Sequence, residues 1–120
     1  MGVSDTGLDD RSCYFIDPSE KKDIQRSLIT DPFVDLDRRK VVQYSRLQKT
    51  DTEDLTAGHG THVAGTVAGY NQEPLAKDGK YSGVAPDAKI AFLDIATSSG
   101  ILYIPPVSQQ YKGLRKANAH

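Results

Sequence analysis

The feature that most constrains the fold is the segment GHGTHVAGTVAGY, residues 58–70, which carries no charged side chain apart from its histidines. Small residues recur in it every four positions along two series, Gly60-Ala64-Ala68 and Thr61-Gly65-Gly69. This spacing places two stripes of small side chains along one helix, a surface suited to close packing against neighbouring backbone. Because glycine, valine and threonine are poor helix formers, tertiary contacts must hold such a helix over most of its surface. The segment therefore predicts a buried central helix.

The segments around this helix predict strands. AKIAFLDI, residues 88–95, is a nearly continuous apolar run, which is typical of a strand covered on both faces in a parallel sheet. Shorter runs are strand-like at CYFI (13–16) and KVVQYS (40–45), and SEKKDIQRSL (19–28) is compatible with one or two helical turns. The succession of strand, loop, buried helix and strand predicts a layered α/β domain.

Composition excludes several classes of function. The 120 residues suffice for one small domain with a core, and the formal net charge of −1 gives no electrostatic reason to expect nucleic acid or an anionic membrane as a partner. No window approaches ~18 consecutive apolar residues, so no membrane span is predicted. The single cysteine, Cys13, excludes an internal disulfide framework.

The triplet Asp5-Thr6-Gly7 follows Val3 as the end of a strand that breaks into a glycine turn. Two unrelated protease chemistries use such a triplet. In aspartic proteases it supplies one of two carboxylates that share a proton, whereas in one class of serine protease it supplies the carboxylate that orients a histidine. The triplet alone does not choose between them.

The pair His59 and His62 has three interpretations. A zinc pair needs a third ligand and usually a nearby acid, as in H-E-x-x-H, and neither is present in the motif. Both histidines could instead be hydrogen-bonded core residues. The third interpretation is catalytic: a general base needs a neutral imidazole whose tautomer is fixed by a carboxylate, and Asp5 at the carboxyl end of a neighbouring strand would supply it.

Three segments together resemble the subtilisin-like serine peptidases. HGTHVAGTVAG (59–69) is similar to their histidine motif, VSDTGLD (3–9) to their aspartate motif, and GVAPDAKI (83–90) to the segment after the histidine helix. They occur in the family's order, aspartate before histidine. The resemblance implies a three-layer α/β/α fold with a mainly parallel sheet, incomplete in this chain. The alternative, an aspartic protease of the retroviral type, predicts an all-β chain and does not account for residues 59–69.

The resemblance also implies roles for individual residues. Asp5 matches the orienting carboxylate and His59 the general base, while His62 falls on a second histidine that is structural in the family. The segment of Ser98, Ser99 and Gly100 resembles a loop that pairs with the substrate backbone as an added strand.

Two departures from the family pattern stand out. Asp5 and His59 are 54 residues apart, about twenty more than in subtilisin, which predicts an insertion within about 10–50. The nucleophile is missing: it follows the histidine by roughly 150 residues in that order, and no serine here lies in a Gly-Thr-Ser-Met-Ala sequence. We interpret the serines after His59, which are Ser82, Ser98, Ser99 and Ser108, as turn and loop residues.

We therefore expect residues 1–120 to be a partial peptidase domain cut at both ends, with a further strand expected near YKGLRKANAH (111–120). The expected function is that of part of a serine endopeptidase, inactive alone. The alternative is a naturally short, non-catalytic relative that acts as a binding module.

The expected partners are a protein or peptide substrate and the rest of the catalytic domain, including the helix that bears the serine. No cofactor is required for this chemistry. A structural calcium ion is compatible with the loop after the histidine helix, where Asn71 and Asp78 supply oxygen ligands. The family is usually secreted, but the sequence shows no signal that would assign a compartment.

Overall fold

A four-stranded sheet organises the chain, and every strand pair in it is parallel. The computed structural model describes residues 1–18, 22–48, 54, 58–72 and 80–119. The strands lie side by side in the order β1-β4-β3-β2. The elements in chain order are β1 (Gly2–Asp5), β2 (Arg26–Leu28), β3 (Val41–Arg46), α1 (His59–Ala68), β4 (Ile90–Asp94) and α2 (Val107–Lys116).

The central strand β4 is buried along its whole length because sheet neighbours and helices surround it. Its register pairs Val3 with Phe92 on one side and Tyr44 with Phe92 on the other. The apolar run 88–95 correctly predicted this strand. Parallel strands require a long crossover connection, and α1 lies in the crossover between β3 and β4.

Alternate side chains of the sheet build a core on each face. On the first face, Phe92 and Tyr44 pack with Ala64 and Ala68 of α1. On the second face, Leu93 packs with side chains that include Leu114 of α2. Helices therefore cover both faces of the sheet, which confirms the predicted three-layer α/β/α fold. In the part of the chain that the structure describes, no helix is long and apolar enough to cross a membrane.

The buried face of the histidine helix α1 follows one of the two predicted small-residue stripes, whereas Thr61 and Gly65 of the other stripe are only partly buried. Gly60, Ala64 and Ala68 are the buried residues of α1, as the four-residue spacing indicates. The expectation of burial over most of the surface is wrong for the described residues, because His62 and Thr66 are exposed. The helix is held along one face and at its ends, not all around.

Tertiary contacts also complete the carboxyl end of α1. The amides of Val84 and Ala85 donate to the carbonyls of Thr66 and Val67, both at 2.9 Å, and the amide of Gly83 donates to Gly69. Helix ends leave carbonyls without partners, and this following segment binds them. The poor intrinsic helix propensity of the segment is thus offset by backbone contacts from residues 83–85.

Two predictions for short segments are wrong. Residues 13–16 form a hydrogen-bonded turn and not a strand, with the amides of Phe15 and Ile16 both donating to the Ser12 carbonyl at 2.9 Å. In the segment 19–28, the described residues 22–28 contain no helix, and β2 pairs with β3 instead. Residues 19–21 lie outside the described ranges. The run 40–45 is confirmed as a strand by β3.

The prediction of a strand near 111–120 is also wrong, because the described residues there belong to α2 and the turn after it. Ser108, which was expected in a turn or loop, lies in α2 as well. Pro106 precedes the helix, and proline is well tolerated where a helix begins. Gly113 is buried against Leu93 of the sheet. Burial of this face against β4 decides in favour of a helix over a strand.

Candidate active site

Asp5 and His59 meet where a strand ends and a helix begins. Asp5 is the last residue of β1, and His59 is the first residue of α1. The distance from His59 Nδ1 to Asp5 Oδ1 is 2.7 Å. The Asp5 side chain is 11% exposed and the His59 side chain 64% exposed. A shielded carboxylate thus holds one edge of an imidazole whose remaining surface is open to solvent.

The contact determines which ring nitrogen of His59 carries the proton. An ionised carboxylate only accepts hydrogen bonds, so Nδ1 must donate to Asp5 Oδ1. In the neutral ring Nε2 is then left as an acceptor, which is the state that a general base requires. The same Asp5 oxygen also accepts from the amide of Thr6 at 2.7 Å, which fixes the carboxylate against its own turn.

The surroundings of His59 favour its protonated form. The hydrogen bond to Asp5 raises the pKa of His59 above its usual value, and the charge of Asp5 acts in the same direction. The charge of Asp54 adds a smaller contribution, while the partial loss of hydration lowers the pKa. The site therefore stabilises the imidazolium that forms when His59 accepts a proton.

A glycine contact brings the two elements close together. A Cβ at Gly60 would overlap the carbonyl oxygen of Gly7 and would stand 3.1 Å from Asp5 Cβ. Gly7 itself has a φ of 131°, a conformation that favours glycine. The approach of α1 to β1, and with it the reach of His59 to Asp5, depends on the missing side chain at Gly60.

Three polar residues that the sequence analysis did not select tie the helix to the strand. Thr6 Oγ1 accepts from the amide of Gly60 at 2.9 Å and donates to Asp54 Oδ1 at 2.9 Å. Asp54 Oδ2 accepts from both the amide and the hydroxyl of Thr61, at 2.8 and 2.7 Å. Helix start rules look for a cap at the residue before the helix, but Gly58 occupies that position and provides no side-chain cap.

A buried hydroxyl network lies under the Asp5 turn. Tyr44 Oη accepts from the amide of Leu8 at 3.2 Å and donates to Asp94 Oδ2 at 3.0 Å. Burial raises the pKa of Tyr44 above its usual value, and the charge of Asp94 acts in the same direction, so the hydroxyl keeps its proton. Asp94 is the register partner of Asp5, which places this network directly beside the Asp5–His59 pair.

His62 is exposed and belongs to a different surface. It lines a groove of about 760 Å³ that runs beside α1, together with Tyr81 and Val84. The described contacts do not connect its ring to Asp5. The structure thus separates the two histidines of the motif, and only His59 reaches the carboxylate.

Ser98, Ser99 and Gly100 lie in a turn just past β4. Ser98 and Ser99 are exposed, and the Ser99 hydroxyl is 2.9 Å from that of Thr97. Gly100 has a φ of 78°, which the turn requires. An antiparallel bridge between Ala96 and Leu102 closes the turn, and no described contact links it to Asp5 or His59. Binding of substrate there stays a prediction.

The described residues do not assemble a metal centre. Nowhere in the described ranges do three or more histidine, cysteine, aspartate or glutamate side chains gather at one point. Of the two expected calcium ligands, Asp78 lies outside the described residues. Asn71 uses its side-chain amide to donate to the Lys80 carbonyl at 3.2 Å, and calcium takes six to eight oxygen ligands. Calcium binding at this loop therefore stays a prediction.

Comparison with known proteins identifies the family of this chain. The sequence model of the subtilase family matches residues 1–120. Two proteins of Dictyostelium discoideum, serine protease/ABC transporter B family proteins tagD and tagB, are each 39% identical to this chain over 122 residues. The match covers 99% of this chain and 6% of each relative.

A third protein of that organism, tagA of the same description, is 35% identical over 101 residues, which cover 83% of this chain and 5% of the relative. This chain therefore spans about one-twentieth of the length of the curated relatives that it matches. No solved structure matches the chain significantly. The family match over all 120 residues, on an α/β/α fold with the aspartate and histidine in contact, shows that the chain belongs to the subtilase family.

Proposed function

We propose that Asp5 and His59 are the orienting carboxylate and the general base of a serine endopeptidase. The observation that carries the proposal is the 2.7 Å contact between His59 Nδ1 and Asp5 Oδ1. It joins the two motifs of the family across 54 residues of sequence. Both side chains are attached to regular elements of the core, so their separation does not depend on a mobile loop.

The chemistry follows from the tautomer that Asp5 imposes. A serine hydroxyl attacks the peptide carbonyl while His59 Nε2 takes its proton, and the imidazolium then gives that proton to the leaving amine. Asp5 keeps the ring in position and stabilises its charged form, which agrees with the raised pKa of His59. The substrate class is a protein or peptide, and the reaction needs no cofactor.

We place the nucleophile outside these 120 residues. None of the serines in the sequence lies in a Gly-Thr-Ser-Met-Ala motif. Among the described serines, the Ser82 hydroxyl accepts from the amide of Asn71 at 3.1 Å, and the Ser99 hydroxyl contacts that of Thr97. A helix from the rest of the catalytic domain would bring the serine to Nε2 of His59. Ser98, Ser99 and Gly100 would pair with the substrate backbone beside it.

A fluorophosphonate probe, which labels activated serines, tests the proposal. We expect it to label the whole protein that contains these residues and not residues 1–120 alone. His59→Ala should abolish labelling, whereas His62→Ala tests whether the second histidine is dispensable for it. Labelling of the isolated chain, or full labelling of the His59→Ala protein, would contradict the proposal. Absence of labelling in the whole protein would favour the non-catalytic binding module instead.

A structural calcium ion near Asn71 is a separate hypothesis. Its test is the midpoint of thermal unfolding of the whole protein in calcium and in EDTA. Equal midpoints in the two buffers would remove the hypothesis and leave the proposed reaction untouched.

A further inference from the structure

We propose that Asp54 is a positioning residue, which holds the Asp5 turn and the first turn of α1 in register and thereby sets the geometry of the Asp5–His59 pair. The inference rests on the proposed function, because it assigns a role to a residue that has no described hydrogen bond to the imidazole and acts through the residues beside the pair. Asp54 hydrogen-bonds residues close to both side chains of the pair.

The contacts of Asp54 are divided between the two elements. Its Oδ1 accepts from the hydroxyl of Thr6, the residue directly after Asp5, at 2.9 Å. Its Oδ2 accepts from the amide of Thr61, two residues after His59, at 2.8 Å, and from the Thr61 hydroxyl at 2.7 Å. One carboxylate therefore clamps the strand end to the helix start.

The hydrogen bonds around this clamp all run toward Asp54. Thr6 Oγ1 accepts from the Gly60 amide, and Thr61 Oγ1 accepts from the Asp9 amide at 2.9 Å. Each hydroxyl has one proton, and that proton is directed to Asp54. A group that accepts at both ends is required, which an ionised carboxylate satisfies and an asparagine amide does not.

The charge of Asp54 also complements the helix. The amino end of a helix carries partial positive charge and free amides, and α1 has no acidic residue in its own first turn. Asp54 supplies that negative charge from outside the helix. Among the described residues, the charged groups that act on His59 are Asp5, at the end of β1, and Asp54, and both raise its pKa. Asp54 therefore contributes to the site by geometry and by charge.

The pH dependence of kcat/KM in the whole protein tests the inference. Its acid limb reports the pKa of the base in the free enzyme. We expect Asp54→Asn to move the acid limb to lower pH, because a negative charge near His59 is lost. We expect the plateau to fall on the order of ten- to a hundredfold, since small displacements of catalytic groups have effects of this size. Asp37→Asn, an exposed carboxylate in the turn before β3, is the matched control and should change neither.

A second pair of variants covers the case in which Asp54→Asn does not fold. Thr61→Val removes the hydroxyl bond to Asp54 and the acceptor of the Asp9 amide, but it keeps the bond from the Thr61 backbone amide to Asp54. We therefore expect a smaller loss of kcat/KM than in Asp54→Asn. Thr61→Ser restores the hydroxyl and should recover most of that loss. An equal loss in both Thr61 variants would contradict the inference.

The outcomes separate the two proposals. An unchanged plateau and acid limb in Asp54→Asn would overturn the positioning role, and so would a lower plateau with an unshifted limb, which indicates a structural role only. Retention of peptidase activity in His59→Ala would instead overturn the proposed function.

Discussion

Replacement of Gly60 by alanine tests whether the contact between His59 and Asp5 depends on the close approach of α1 to β1. Gly60 is buried on the helix face that meets the Asp5 turn. A Cβ there would overlap the backbone oxygen of Gly7, and would stand 3.0 Å from its nitrogen and 3.1 Å from Asp5 Cβ. Because two of these neighbours are backbone atoms, no rotamer change relieves the overlap, and the helix must shift away from the strand.

The magnitude follows from two opposed effects. Glycine to alanine in a helix gains up to about 1 kcal/mol of intrinsic propensity, whereas overpacking of a filled site costs about 1–3 kcal/mol or more. We expect a net loss of about 1–2 kcal/mol in the local stability of α1, which is a factor of roughly 5–30 in the population of its open state. The Asp5–His59 contact should lengthen as the helix moves.

Gly65→Ala is the matched control because it makes the same change on the same helix. The nearest atom to its Cβ would be Phe15 Cζ at 3.9 Å, an ordinary contact, so only the propensity gain remains. Native-state amide exchange of α1 in the whole protein measures both variants. Compared with the unsubstituted protein, amide exchange in α1 should be faster in Gly60→Ala, and it should be unchanged or slower in Gly65→Ala. If exchange is equally slow in both variants, a Cβ at Gly60 does not destabilise α1, and the predicted overlap with Gly7 is refuted.

Two further predictions concern the network around the pair. In Asp5→Asn the pKa of His59 should fall toward its usual value, measured by NMR titration of the ring. An unchanged His59 pKa in Asp5→Asn would contradict the assigned contact. In the native protein the pKa of His59 is raised, so the contact with Asp5 stabilises the fold at pH values below the pKa of His59 in the unfolded chain. This stabilisation is lost as the pH rises through the pKa of His59 in the folded protein. Tyr44→Phe should destabilise the protein by about 1–3 kcal/mol, because it leaves the Leu8 amide and Asp94 without their hydroxyl partner. Tyr111→Phe, at an exposed position, should have little effect in the same urea titration.

The confirmed predictions rest on regular patterns of small or apolar residues along the sequence. The four-residue spacing of Gly60, Ala64 and Ala68 identified the buried face of α1 because a helix brings such positions onto one stripe. The apolar run 88–95 identified β4 because a central parallel strand has no solvent-facing side. In both cases the pattern extends over enough residues for burial to leave a clear signature.

The predictions for short segments are wrong where the burial of a single side chain outweighs the local conformational propensity. In the run 13–16, Phe15 is buried in the core while Cys13 and Ile16 are exposed. A turn is sufficient to bury this one side chain, so the predicted strand does not form. In the chain end, residues 111–119 contain apolar positions such as Leu114 that become informative only once the sheet surface opposite them is known. A strand and a helix are equally compatible with such a sequence until that partner surface exists.

The amino-acid sequence by itself determined the family, the central strand, the histidine helix and the two residues expected to meet. Only the tertiary structure decided which polar residues surround them. Lys40 is 2% exposed, and its ammonium donates to the Pro86 and Ala88 carbonyls, 46 and 48 residues away. Tyr44 reaches Asp94 across 50 residues, and Thr6 reaches Asp54 across 48. Hydrogen bonds between residues so distant in the chain leave no periodic trace in the sequence, because each depends on how strands and helices pack and not on local spacing.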